Sequence, residues 1–137
     1  MKIRNLIAVL IGIIVSVIII IIGEALTHII NPLPSGFDMN DREALKTYIT
    51  TAPVSLHLII LCNYALACFA GGLIASSIAI DKKMSKAMSL GGIFMGVGMF
   101  SLINLHPLWV VICSIFIFLP FAYLGGMMSV KISEKKK

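Results

Sequence analysis

Charge is what this sequence lacks most. Only 12% of its residues are Asp, Glu, Lys or Arg, against about a quarter in a soluble domain. The few aspartates, Asp38, Asp41 and Asp81, all fall between apolar runs, which excludes an intramembrane aspartate pair. Cysteine is scarce too. Cys62, Cys68 and Cys113 lie inside apolar runs and no two form a C-x-x-C pair, so neither a disulfide framework nor a redox role is expected. There is no G-x-S-x-G, no glycine-rich phosphate loop followed by lysine, and no H-E-x-x-H. The reading is therefore non-enzymatic, with no catalytic residues, no cofactor and no resident metal.

What remains is apolar. Of the 137 residues, 59% are hydrophobic, and the mean hydropathy is +1.05. Crossing a bilayer takes about 20 such residues. The runs predict an all-α membrane protein, a single domain over 1–137 with four transmembrane helices. They are placed at Leu6–Ile30, Val54–Ile80, Ala87–Leu105 and Leu108–Val130. The first follows a basic start and resembles a secretory signal. However, Asn5 to Gly23 is 19 residues without a charge, and no small-residue cleavage site follows, so it is expected to be a retained span.

Basic residues give an orientation. Lys2 and Arg4 precede the first run, Lys82, Lys83 and Lys86 separate the second and third, and Lys131, Lys135, Lys136 and Lys137 follow the fourth. With four crossings these fall on one side, and only Arg42 and Lys46 on the other. The positive-inside rule then puts both termini in the cytoplasm, with Trp109 as an aromatic anchor at the outer interface. A net charge of +5 needs no nucleic acid. It fits orientation plus anionic lipid attracted to the basic tail.

The outer loop, 31–53, carries the turn residues Asn31-Pro32 and Pro34-Ser35-Gly36. Asp38 or Asn40 is expected to cap a short amphipathic helix, with Asp41 and Glu43 in its first turn and Leu45, Tyr48 and Ile49 on one face.

Runs two and four look like copies. Pro53 stands 18 residues before Gly71, and Pro107 stands 18 before Gly125. This predicts two tandem helical hairpins related about an axis along the membrane normal. Pairs of small residues four apart mark packing faces: Gly71 with Ala75, Gly72 with Ser76, Gly92 with Gly96, Ala122 with Gly126, Gly125 with Ser129. Pro120 should kink the last helix. The methionines, among them Met95, Met99, Met127 and Met128, read as packing rather than a copper path.

Glu24 interrupts the first run near its outer end, and His28 follows at i+4 on the same face. His57 is one turn inside the second run, and His106 sits in "NLHPLW". Topology alone brings Glu24 and all three histidines to one side. His57, Tyr64, Cys68, Gly71 and Ala75 share a stripe, with Asn63 and Asn104 nearby. Three readings stay open. Glu24, His28, His57, Tyr64 and His106 form a proton- or ligand-handling site. Alternatively, Glu24 and the histidines converge on a metal. Or they are polar groups at headgroup level, bonded to each other and to water.

The elements "PLPSGFDMNDREALKTYI", "HPLW" and "PFAYLGGMMS" resemble a group of small uncharacterised bacterial four-span inner-membrane proteins. The resemblance implies four spans and the bacterial cytoplasmic membrane, and brings no activity with it. More distantly, Glu24 followed by Ser35-Gly36-Phe37 is similar to small multidrug resistance transporters. The chain departs from these in its 23-residue loop, in a glutamate near the outer end, and in having no mid-membrane tryptophan. The expectation is an accessory or scaffold subunit that self-associates or joins a larger membrane complex. The alternative is a small homo-oligomeric, proton-linked transporter or channel using Glu24 and the outer-side histidines.

Overall fold

The computed structural model describes residues 2–135. Lys136 and Lys137 of the basic tail lie outside the described residues. Within them every regular element is helical: α1 (Lys2–Ile30), α2 (Arg42–Thr51), α3 (Val54–Ile78), α4 (Lys83–Leu105) and α5 (Leu108–Lys135). All but α2 are long and apolar enough to cross a membrane. α1 and α4 start four residues earlier than the apolar runs, and α5 ends five later. Hydrophobicity marks the lipid-facing length, whereas the helices extend past it into their basic flanks.

Successive long helices run in alternating directions. Arg4 Nε donates to the Ile78 carbonyl at 3.3 Å and Asn63 Nδ2 to the Ile20 carbonyl at 3.2 Å, so α1 and α3 are antiparallel. Lys83 Nζ meets Ser133 Oγ at 3.1 Å while Gly98 lies beside Phe118, so α4 and α5 are antiparallel too. α3 and α5 are parallel, with His57 beside Trp109 at one end and Ser77 Oγ 2.9 Å from Ser129 Oγ at the other. The end carrying residues 31–53 is called the loop end below, and the other the lysine end.

The helices touch backbone to backbone where side chains are missing. A Cβ on Gly12 would come within 2.8 Å of Leu90 Cδ1 and 2.7 Å of the Gly71 carbonyl oxygen, which joins α1, α3 and α4. A Cβ on Gly72 would run into the Ala122 carbonyl, and one on Gly91 would lie 2.9 Å from Ala122 Cβ, which joins α3, α4 and α5. Leu90 and Ala122, at these two junctions, are fully buried. One turn nearer the loop end than Gly12 and Gly71, Ser16 Oγ, also fully buried, donates across the interface to the Ala67 carbonyl at 2.7 Å. In lipid no hydrophobic effect drives helix against helix, so this close van der Waals and polar contact holds the bundle.

The glycine pairs do not repeat as rotation would require. In α3, Gly71 faces its hairpin mate α1 and Gly72 faces α5. In α5, Gly125 faces α3 at Phe69 and Leu73, and Gly126 faces its mate α4 at Ala87 and Met84. The roles are exchanged within the pair, a difference of one residue or about 100° of helix rotation. Accordingly α4 packs on α3, while α1 makes no packing contact with α5. α5 continues through Pro120 to Lys135.

In the loop, Gly36 has φ +81° and Phe37 N–H donates to the Pro34 carbonyl at 3.1 Å, the glycine-requiring type II turn. The cap of α2 differs from expectation. Asp41 is the cap, and its carboxylate accepts from Glu43 N–H at 3.0 Å and Ala44 N–H at 3.2 Å. Asp38 instead folds back on the Asn40 N–H at 2.9 Å, a local turn that uses its oxygen before the helix begins.

These contacts predict opposite outcomes for two glycines. Gly125→Ala pushes a methyl into the Phe69 carbonyl and should cost about 1–3 kcal/mol. Gly92→Ala meets open space and should leave stability unchanged or raise it by up to about 1 kcal/mol. Thermal unfolding in a mild detergent, followed by circular dichroism, distinguishes them. Equal effects would contradict the assigned faces.

Candidate functional site

At the loop end, side chains are large and the helices enclose a cavity of about 310 Å³. Glu24, Thr27 and His28 of α1 form one wall, Leu56, Ile60 and Tyr64 of α3 another, and Ser101, Leu102, Leu105 and His106 the third. α2 is the roof, through Leu45, Tyr48 and Ile49, the face expected of it. The roof is latched to α1: Asn31 Nδ2 donates to Tyr48 Oη at 2.7 Å, and Tyr48 Oη donates to the Asn31 carbonyl at 3.0 Å. Phe37 packs on the Tyr48 ring, with centroids 5.6 Å apart.

Four of the five anticipated residues thus line one space: Glu24, His28, Tyr64 and His106. Glu24 and His28 are also exposed, which puts them at its mouth. Tyr64 lies deeper, with its ring 5.8 Å from Phe118. Glu24 is the sole carboxylate on the wall, and no lysine or arginine lines it.

His57 is set apart. It is 2% exposed and lies behind the cavity, its ring 6.0 Å from that of His106 at 82° and 5.5 Å from that of Trp109. Its Nδ1 is 3.2 Å from the Pro53 carbonyl. A carbonyl only accepts, so Nδ1 carries the proton and Nε2 keeps its lone pair in the neutral ring. That Nε2 and His106 Nδ1 are both buried without a hydrogen-bond partner. Such orphan atoms in a low-dielectric setting are costly. Burial, and next the neighbouring His57, lower the His106 pKa to about 4.

Other anticipated groups take different places. Asn63 bonds α1 at Ile20, directly against Gly23, and so fixes the helix just before Glu24. Asn104 bonds the Phe100 carbonyl of its own helix at 3.1 Å and does not join the cluster. Among the described residues, no three His, Cys, Asp or Glu side chains converge as a metal site would need. The stripe of α3 is buried at His57, Cys68, Gly71 and Ala75, and Cys62 and Cys113 are exposed free thiols. Two features had no advance signal. Trp109, read as an interface anchor, packs on His57. Tyr48 is the latch of the roof. A tyrosine on an apolar face two residues before a threonine pair announces neither its partner nor its reach.

The six small-residue positions divide. Gly71, Gly72, Gly125 and Gly126 press on neighbouring helices, whereas a Cβ on Gly92 or Gly96 would meet nothing within 4 Å. Comparison with known protein families, curated proteins and solved structures finds no match.

His106 makes stability depend on acid. His106 falls from an ordinary 6.5 to about 4 on folding, so between these values the unfolded chain binds the extra proton. Its contribution is complete above pH 6.5 and is lost as pH falls toward 4. The melting temperature should drop over that window, and His106→Gln should flatten the slope. An unchanged slope in the variant would remove His106 as its source.

Proposed function

We propose that the chain is a non-enzymatic accessory or scaffold subunit of the bacterial inner membrane, with both termini cytoplasmic. In this reading it associates with itself or with a larger membrane complex through the exposed face of α4. The observation that carries it is the free Gly92–Gly96 pair. Six small-residue positions have the same local spacing, and four are consumed inside the chain. The remaining two lie one turn apart on the outward side of α4, nearer the loop end than Ser85 and Ser89. A second helix can approach its backbone there as closely as α3 approaches α5. The one-sided distribution of lysine and arginine supports the orientation, and anionic lipid at the lysine end follows from the same charges.

A second reading is favoured by the cavity. Glu24, His28, Tyr64 and His106 around one cavity, with His57 behind, would suit a small homo-oligomeric transporter or channel that moves protons at Glu24. Such sites depend on a carboxylate that gains and loses a proton as its surroundings change.

Replacing both α4 glycines tests the first reading. The particle extracted in mild detergent should exceed the mass of one chain, or carry a stoichiometric partner. Gly92→Leu with Gly96→Leu should reduce it to a bare monomer with an unchanged melting temperature. A variant that keeps its partners would sink this interface. For the second reading, proton flux into proteoliposomes should vanish with Glu24→Gln, and persistence of the full flux would end it.

A further inference from the structure

A second cavity, of about 640 Å³, lies on the other side of α2, between that helix and the loop end of α4. It shares a wall with the first but differs in chemistry. Arg42 and Lys46 line it, and these are the only two basic residues between Arg4 and Lys82. They are i,i+4 on α2, so both project to one side of the helix. Both are exposed, and Glu43 is the acid beside them. Ser101 and Phe100 of α4 form the opposite wall.

Phe100 makes the cleft more than a polar dent. It is 78% exposed, and below it, away from the loop, α4 presents Val97 at 64% and Ile93 at 44%. At about 100° per residue these three fall within roughly 60° of one another; Phe100, at i+4 from Gly96, continues the Gly92–Gly96 row, and Ile93 and Val97 lie on the flank beside it. A pair of cations at the membrane edge therefore stands directly above a strip of exposed apolar surface.

We propose that this cleft holds an anionic phospholipid from the leaflet at the loop end, its phosphate against Arg42 and Lys46 and one acyl chain along the Phe100 flank of α4. Arginine offers paired N–H donors to phosphate oxygens and lysine adds a point charge. Val97 and Ile93 below Phe100 offer the exposed apolar surface that a lipid tail requires. The inference rests on the four apolar helices lying in a bilayer, and lipid binding at Arg42 and Lys46 is read separately from self-association at Gly92 and Gly96.

The test is native mass spectrometry of the full chain, delipidated in dodecyl maltoside and titrated with dioleoylphosphatidylglycerol. One lipid per chain should bind first. Arg42→Gln with Lys46→Gln should weaken that step about tenfold or more, as expected for loss of charge-assisted bonds, and Glu43→Gln should strengthen it. Dioleoylglycerol, which has the chains without the phosphate, should bind no better to wild type than to the double variant. Inorganic phosphate should not displace the lipid. Arg42, Lys46 and Glu43 are exposed, and circular dichroism should show the fold unchanged. Equal affinity in the double variant overturns the proposal. So does loss of the first bound lipid on neutralising Lys82, Lys83 and Lys131 instead, which would place it at the lysine end.

Discussion

Backbone contact at glycine is the constraint on which the rest of this structure depends. Lipid tails are as apolar as leucine, so the helices gain nothing by merely hiding hydrophobic surface from each other. They gain by touching closely. Gly12 with Gly71 and Leu90, and Gly72 with Gly91 and Ala122, bring α1, α3, α4 and α5 together at two adjoining junctions. The bond from Ser16 to the Ala67 carbonyl is possible only because Gly12 and Gly71 let α1 come so near. A side chain at Gly12 or Gly71 would push α1 from α3 and break the polar contact with it.

The loop end follows from the same constraint. The close backbone-to-backbone glycine contacts lie in the middle and toward the lysine end, whereas the loop ends of α3, α4 and α5 carry bulk: His57, Tyr64, Leu102, Trp109. Helices pinned at one level and propped apart at another leave space between them, and the 310 Å³ cavity is that space. α2 has few buried contacts of its own and none of its residues is fully buried. It stays in place by capping at Asp41 and by the Tyr48–Asn31 latch. Polar groups thus hold the roof over a cavity whose walls are held by packing.

Much of the fold was legible in the sequence, since four long apolar runs permit few arrangements in a bilayer. The runs, the loop helix and the common side of Glu24 and the histidines needed only periodicity and topology. What could not be read was rotation. Gly92 with Gly96 has the spacing of Gly71 with Ala75, yet one pair is open and the other is packed. His57 and Tyr64 share a stripe, yet one is sealed behind the cavity and the other lines it. Each distinction depends on a few tens of degrees about a helix axis, set by contacts far away in sequence. Asp41 displaced Asp38 as the cap for a local version of the same reason: Asp38 closed its own turn first.

Rotation also explains why α4 is the helix with surface to spare. Had the glycine pairs of α3 and α5 acted alike, α1 and α4 would occupy equivalent outer positions, each on its own mate. Exchange of the two faces turns α5 by about one residue, draws α4 across onto α3, and leaves α1 without contact to α5. α4 then has its bundle side filled by Leu90, Gly91 and Leu102, all buried, while Ile93, Val97 and Phe100 stay exposed and Gly92 and Gly96 meet no neighbour. It is also the helix on which α2 rests. The small-residue strip and the cation-topped flank are therefore neighbouring consequences of one asymmetry. Together they leave the outward side of α4 with an open small-residue row and, beside it, an exposed apolar flank.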